Sequence, residues 1–225
     1  MVCLVAASVA LSPAQATAAG NQVIHEGEFN PRDLRWEADP QGAVYPILDG
    51  TRPLAEPGLP QLPVQDLVFL VPLEIEVGNL WIEPLETHRE PAKNGLALGA
   101  PHFTDSGEMI TTTRLTRQGE VFPSFWGEFT GSHVWRGYRL ATVSVYPVRE
   151  IQTAQGVELE FLDRFAVRLE TGGPVEAGTI AVRQRLIPGE AQENARTLAE
   201  LVANPEVISG YRREHGQVVQ NMSAA

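Results

Sequence analysis

Short runs in which hydrophobic and polar residues alternate, separated by turn-forming residues, dominate the chain from residue 56 onward. A period of two is typical of a β-strand with one face on a core and the other in water. The pattern therefore predicts a mainly β fold, an antiparallel β-sandwich-like domain. The clearest example is the segment 157–170, where one parity is apolar: Leu159, Phe161, Phe165, Val167 and Leu169.

Other strands follow from the same pattern. A first strand is predicted at Val68 to Val71 and a second at Glu74 to Ile82, with a bulge or bend at Gly78-Asn79. Further strand signals cover residues 110–116 and 121–129. The alternating segment around 141–145 is predicted to pair with 157–170 through a turn near Gln155-Gly156.

Between and beyond these strands the pattern changes. Residues 84–110 contain several prolines and glycines with little periodicity, and they are predicted to form a long loop, a kind of segment that often carries function. A short C-terminal helix is predicted at about 190–203, and it ends at Asn204-Pro205. The organisation is thus an irregular N-terminal arm with one short strand (17–55), a β domain (56–173) and a linker with one helix (174–225).

The first residues are expected to be a secretory signal peptide, residues 1–16. They are apolar and end in Ala14-Gln15-Ala16, which predicts cleavage after Ala16 and a secreted, periplasmic or extracellular location. No later segment approaches the about 18 apolar residues of a membrane span. The only cysteine, Cys3, lies inside this signal. The mature chain is therefore predicted to have no disulfide, no cysteine zinc site and no cysteine nucleophile.

Charge and motifs exclude several classes of function. A formal net charge of −11 argues against a nucleic-acid partner. The histidines show no paired metal-ligand spacing, so no metal or cofactor is expected. Neither a G-x-S-x-G elbow nor a P-loop is present, so no catalytic residue and no small-molecule substrate are predicted. Glu158 and Glu160 could form a glycosidase pair, but a solvated strand face balanced by Arg164 and Arg168 is favoured.

The aromatic residues leave a second class of function open. They could form a platform on which sugars stack, or they could be buried core residues, which is the favoured interpretation. The platform would make the chain a secreted β-sandwich adhesion or carbohydrate-binding module, and an uncharacterised hydrolase is a more remote third class. The aromatic residues concerned are Trp81, Phe122, Phe125, Trp126, Phe129, Trp135 and Tyr138.

Three blocks together resemble a known family. Gly58 to Val64, "GLPQLPV", is followed by the apolar run Val68 to Pro72, and "LWIEP" occupies Leu80 to Pro84. The third block is the "FPSFWGEFTGSHVWRGYRLATVSVYPV" of residues 122–148, with the strand 159–169 behind it. In order and spacing these blocks resemble the N-terminal propeptide of gingipain-type cysteine endopeptidases. The sequence departs from the family after Pro147, where Tyr-Asn-Pro is common.

The resemblance implies a β-sandwich-like prodomain that assists folding of a cysteine protease catalytic domain and keeps it latent, acting in cis or in trans. In such prodomains a basic side chain from a loop occupies the specificity pocket of the enzyme. Arg89 and, second, Lys93 are the candidates here. Arg212 and Arg213 are candidates for the maturation cleavage. Since no catalytic domain follows, the chain is expected to be a fragment, a truncated precursor or a free-standing inhibitor.

Overall fold

The computed structural model describes most of the chain in ten stretches, and several predictions fall outside them. These are the signal peptide with its cleavage after Ala16, and the candidates Lys93, Arg212 and Arg213. The described stretches are residues 22–40, 42–54, 56–73, 75–92, 96–100, 102–103, 105–107, 109–110, 118–174 and 190–211.

The described residues form thirteen strands and one α-helix. Two 3₁₀ turns, Pro31–Asp33 and Pro205–Val207, accompany them. In chain order the strands and the helix are β1 (Gln22–Glu28), β2 (Arg35–Ala38), β3 (Val44–Ile47), β4 (Arg52–Pro53), β5 (Pro63–Val71), β6 (Ile75–Pro91), β7 (His102–Phe103), β8 (Met109–Ile110), β9 (Val121–Phe122), β10 (Gly127–Trp135), β11 (Tyr138–Val145), β12 (Val148–Thr153), β13 (Gly156–Pro174) and α1 (Glu190–Leu201).

Two antiparallel sheets face each other across the main core. The first has five strands in the order β1-β13-β12-β9, with β6 also paired to β13; the second has four in the order β10-β11-β5-β4. Phe69 and Val143 of the second sheet pack in one cluster with Phe165 and Val167 of the first. The expected mainly β, sandwich-like fold is confirmed.

Strand β13 organises the first sheet. Its first half pairs with β12 and its second half with β1, while β6 runs along its other edge throughout. The change of neighbour occurs at Asp163, an extra residue between the pairs Leu162–Thr87 and Arg164–Glu86. Such a bulge reverses which parity of side chains faces a given side of the sheet.

The prediction that the apolar residues of 159–169 share one face was wrong, because the bulge at Asp163 places them on two sides of the sheet. Leu159 and Phe161 belong to a cluster with Leu48 and Val148, on the side of the sheet covered by the N-terminal segment. Leu162 and then Phe165, Val167 and Leu169 belong to the core between the two sheets. Residues 159–162 are therefore all buried, because both sides of the first half of β13 are covered.

Strand pairing also differs from the prediction. The segment 141–145 lies in β11, which pairs with β10 and β5 in the second sheet, whereas the hairpin partner of β13 is β12. The predicted turn near Gln155-Gly156 is confirmed, because Thr153 pairs with Gly156. The bulge at Gly78-Asn79 is confirmed too, since two residues of β6 separate Val77 from Leu80 where β13 has one between their partners.

The prediction of a loop beginning at residue 84 was wrong for its first part. Strand β6 continues to Pro91 and stays paired with β13. No alternation revealed it, because β6 lies at the edge of the sheet, where prolines and charged residues are tolerated on a strand. Beyond it, the described residues 96–99 form isolated bridges to Val44, Pro57 and Pro60.

The N-terminal and C-terminal segments are more ordered than an arm and a linker. Strand β1 pairs with the second half of β13 over its whole length, and the β2–β3 hairpin places Trp36 against the cluster of Leu159 and Phe161. The predicted helix is confirmed as α1, and Leu198 is fully buried against the second sheet. Both segments find partners far along the chain, which local patterning does not reveal.

Candidate functional site

Arg89 lies on strand β6, not on a loop, and it is engaged within the domain. Its Nε and Nη2 donate to the same oxygen, Oε1 of Glu160, at 3.0 and 2.8 Å. The two residues sit directly opposite each other in the β6–β13 ladder. The side chain of Arg89 is 57% exposed, so it reaches Glu160 from the rim of the sheet.

Glu160 is the centre of a three-residue cluster. Its other carboxylate oxygen accepts from Nη2 of Arg149, the residue opposite it on β12. The guanidinium of Arg149 lies 3.6 Å from the ring centroid of Trp126, a cation–π contact. Nη1 of Arg149 also donates to the carbonyl of Ser124 at 3.4 Å. The cluster thus joins β6, β13, β12 and the segment that precedes β10.

The electrostatics of this cluster favour a charged Glu160. The side chain of Glu160 is only 8% exposed, and this burial raises the pKa of its carboxyl. Hydrogen bonds from Arg149 and Arg89 lower the pKa by more than burial raises it, so the pKa lies below the ordinary value. The expectation that Glu160 lies on a solvated face balanced by Arg164 and Arg168 was therefore wrong. Arg168 pairs instead with Glu83, at 2.7 Å.

A histidine–carboxylate contact lies beside the bulge of β13. Nδ1 of His88 is 2.8 and 2.7 Å from the two carboxylate oxygens of Asp163, and its imidazole stacks on Phe161 at 4.8 Å between centroids. The adjoining cavity, lined in part by Phe29 and Leu34, has a volume of about 40 Å³. It has room for water and not for an organic substrate.

The aromatic-rich stretch does not form one exposed platform. Trp126 lies buried under Arg149, and Tyr138 is buried and stacked on Tyr211 at 5.4 Å. Phe125 is 74% exposed and Trp81 46% exposed. Trp81 borders an open groove of about 430 Å³ that is lined by residues of β6 and β13, with the Glu83–Arg168 ion pair in its wall. The favoured prediction, that the aromatics are core residues, fits only some of them.

Within the described part of the chain, no group of three or more His, Cys, Asp or Glu side chains is placed to hold a metal ion. Of the helices that the structure describes, none has the length and apolar character needed to cross a membrane. The signal peptide, Lys93, Arg212 and Arg213 lie outside the described residues, so their assigned roles stay predictions.

Comparisons with known proteins agree with this architecture at the level of fold. No protein-family model matches the chain, and no curated protein matches it significantly. Among solved structures, the chain is similar to one in the complex of Porphyromonas gingivalis RgpB pro- and mature domains, with 15% identity and a TM-score of 0.55, covering 87% of this chain and 96% of that chain. A second, from a study of the zymogenic latency of gingipain K from the same organism, has 14% identity and a TM-score of 0.54, covering 69% of this chain and 90% of that chain.

These neighbours identify the fold of the chain. The chain has a gingipain propeptide-like fold, and the resemblance stated from the sequence is confirmed at that level. Because nearly the whole of the RgpB-complex chain is covered, the likeness extends over the full architecture and is not confined to one hairpin.

Proposed function

We propose that this chain is the propeptide region of a secreted gingipain-like cysteine endopeptidase precursor, which assists folding of the catalytic domain and keeps it latent. The observation that carries the proposal is the whole-length fold match to a chain from a pro–mature domain complex. A prodomain of this kind acts by binding, so it needs a rigid scaffold and a surface fitted to the enzyme, and no catalytic residue of its own.

The position of Arg89 bears on how latency would work. A side chain that blocks a specificity pocket has to leave its own domain, and Arg89 would have to give up the buried carboxylate of Glu160 to do so. The connection between β6 and β9 offers other basic residues, Lys93, Arg114 and Arg117. These lie outside the described residues, and we expect one of them to act in the pocket in preference to Arg89.

The test mixes the purified chain with the catalytic domain of its cognate gingipain-like protease. We expect inhibition at or below micromolar concentration, and faster recovery of activity when the catalytic domain is refolded in the presence of the chain. Absence of both effects would reject the proposal.

Single variants then locate the inhibitory residue. Lys93→Ala, Arg114→Ala and Arg117→Ala are compared with Arg89→Ala, which serves as the matched basic variant inside the folded sheet. We expect one of the first three to weaken inhibition by about ten-fold or more, as loss of a buried charged contact does at other interfaces. If only Arg89→Ala weakens inhibition while its unfolding midpoint is unchanged, Arg89 is the inhibitory residue after all.

A further inference from the structure

The segment after α1 is fixed on the outer surface of the second sheet. Three apolar side chains of this segment and one of the helix are at most 8% exposed, and they pack with residues of β5 and β11. The buried residues of the segment and helix are Leu198, Val202, Ile208 and Tyr211, and those of the sheet are Leu70, Tyr138 and Leu140.

The same segment closes the free edge of β5. The backbone N–H of Ala203 donates to the carbonyl of Val68 at 2.7 Å. The side chain of Asn204, which is 2% exposed, accepts from the N–H of Leu70 at 2.8 Å and donates to its carbonyl at 2.9 Å. One amide side chain thus replaces a neighbouring strand beyond the point where β4 ends. Removal of that amide would leave a buried donor and acceptor without partners.

The last described residues, 208–211, are also fixed on the second sheet. Residues 208–211 are helical, and the hydroxyl oxygen of Tyr211 accepts from the backbone N–H of Arg139 at 3.1 Å. The ring of Tyr211 stacks on that of Tyr138. The residues that immediately precede Arg212 are therefore neither extended nor free of the domain.

A protease binds its substrate as an extended segment of several residues on both sides of the cleaved bond, so a folded segment is cut through transient local opening. We propose that the docked segment 203–211 controls proteolytic cleavage at Arg212 and Arg213, which proceeds only when the segment detaches from β5 and β11. The inference rests on the proposed function, in which cleavage here would separate the propeptide from its enzyme. It assigns to Asn204 and Tyr211 the role of keeping this segment docked.

The experiment digests the full chain with trypsin and follows cleavage after Arg212 and Arg213 by intact mass. A synthetic peptide of residues 205–217 gives the rate without docking. We expect the bond in the folded chain to be cut at least about ten-fold more slowly than in the peptide, since cleavage then depends on the open fraction. Equal rates in chain and peptide would overturn the proposal.

Variants test the two contacts. Asn204→Ala is expected to accelerate this cleavage about ten-fold, and the milder Tyr211→Phe, which loses only the hydroxyl contact, about three-fold. Glu200→Gln, on the exposed side of α1, is the control and should change nothing. Cleavage after Arg168, in the middle of β13, reports global unfolding in the same digest.

Acceleration at Arg212 and Arg213 without acceleration at Arg168 supports the proposal. Equal acceleration at both, or no acceleration in either variant, contradicts it. Because trypsin is the only protease present, the outcome does not depend on whether the chain inhibits a partner enzyme. Failure of the proposed function and failure of this inference therefore give different results.

Discussion

The two halves of β13 have similar sequences and different surroundings. Both alternate large apolar residues with charged ones, as in "LEF" of residues 159–161 and "VRL" of 167–169. In the first half, both sides of the strand are covered and Glu160 is buried. In the second half, Arg164, Arg168 and Glu170 are exposed while Phe165 and Val167 fill the core.

The difference shows what a charge means on each kind of strand. In the covered half, a charged residue needs partners, and Glu160 has Arg89 and Arg149. In the open half, ion pairs such as Arg168–Glu83 are screened by water and contribute little. The bulge at Asp163 is the boundary, because it reverses the sides between the two halves.

Deletion of Asp163 should give the largest loss of stability, because it removes the bulge that separates the two halves of β13. Without the extra residue, one half of β13 must present its charged parity to the core, so we expect a loss of more than about 4 kcal/mol in the free energy of unfolding, or no cooperative transition. Asp163→Asn is the control, because it keeps the bulge and changes only the contact to His88. Denaturant unfolding followed by circular dichroism gives both values, and similar midpoints would refute this account of the bulge.

Removal of the charge from each half gives the next largest effect. Glu160→Ala leaves Arg149 partly buried without its carboxylate, and we expect it to cost about 3 kcal/mol in the free energy of unfolding. Glu83→Ala removes the same group from the open face and should cost less than about 1 kcal/mol. Urea titrations of both variants make the comparison, and equal costs would show that burial of Glu160 is energetically unimportant.

The sequence predicted the open half better than the covered half. Around Phe165 and Val167, period two correctly indicates one buried face. Across Asp163 it failed, although a signal exists: two adjacent apolar residues, Phe161-Leu162, followed by two charged ones interrupt the alternation. The pairing of Glu160 had no local signal, because its partners lie on strands that are brought together only by the fold.

The candidate site shows the same limit. Strand β6 has prolines and charged residues that on a central strand would be unfavourable, and they suggested a loop around Arg89. The helix was predicted to end at Asn204-Pro205, whereas α1 already ends at Leu201. The bond of Asn204 to Leu70 joins residues far apart in the chain, which no local pattern reveals. Turns, bulges and the helix follow from local chemistry, whereas edge pairing and buried ion pairs depend on long-range contacts.

Acid should remove the stabilising contribution of the ionised Glu160. Since its pKa in the folded protein lies below the ordinary value of 4.5, its ionised form stabilises the fold above that pH. This contribution is lost as the pH falls through the lower folded pKa. The difference in unfolding free energy between the native chain and Glu160→Gln should therefore be constant above about pH 5.5 and shrink below about pH 4.5. A difference that grows on acidification would contradict the sign of the shift.

The smallest change in the free energy of unfolding is expected for a variant in the open half of β13. Arg168→Ala removes a guanidinium that is 45% exposed and pairs with a carboxylate that is 50% exposed. Such a pair gains little Coulomb energy in water and costs side-chain entropy, so the change should be at most about 0.5 kcal/mol. It should shrink further in 0.5 M salt, where charges are screened within about 4 Å. Arg168→Ala could instead lower the free energy of unfolding as much as Glu160→Ala does, and independently of salt. In that case the Arg168–Glu83 pair beside Trp81 contributes as much as a buried ion pair, and the proposed difference between the two halves of β13 is wrong.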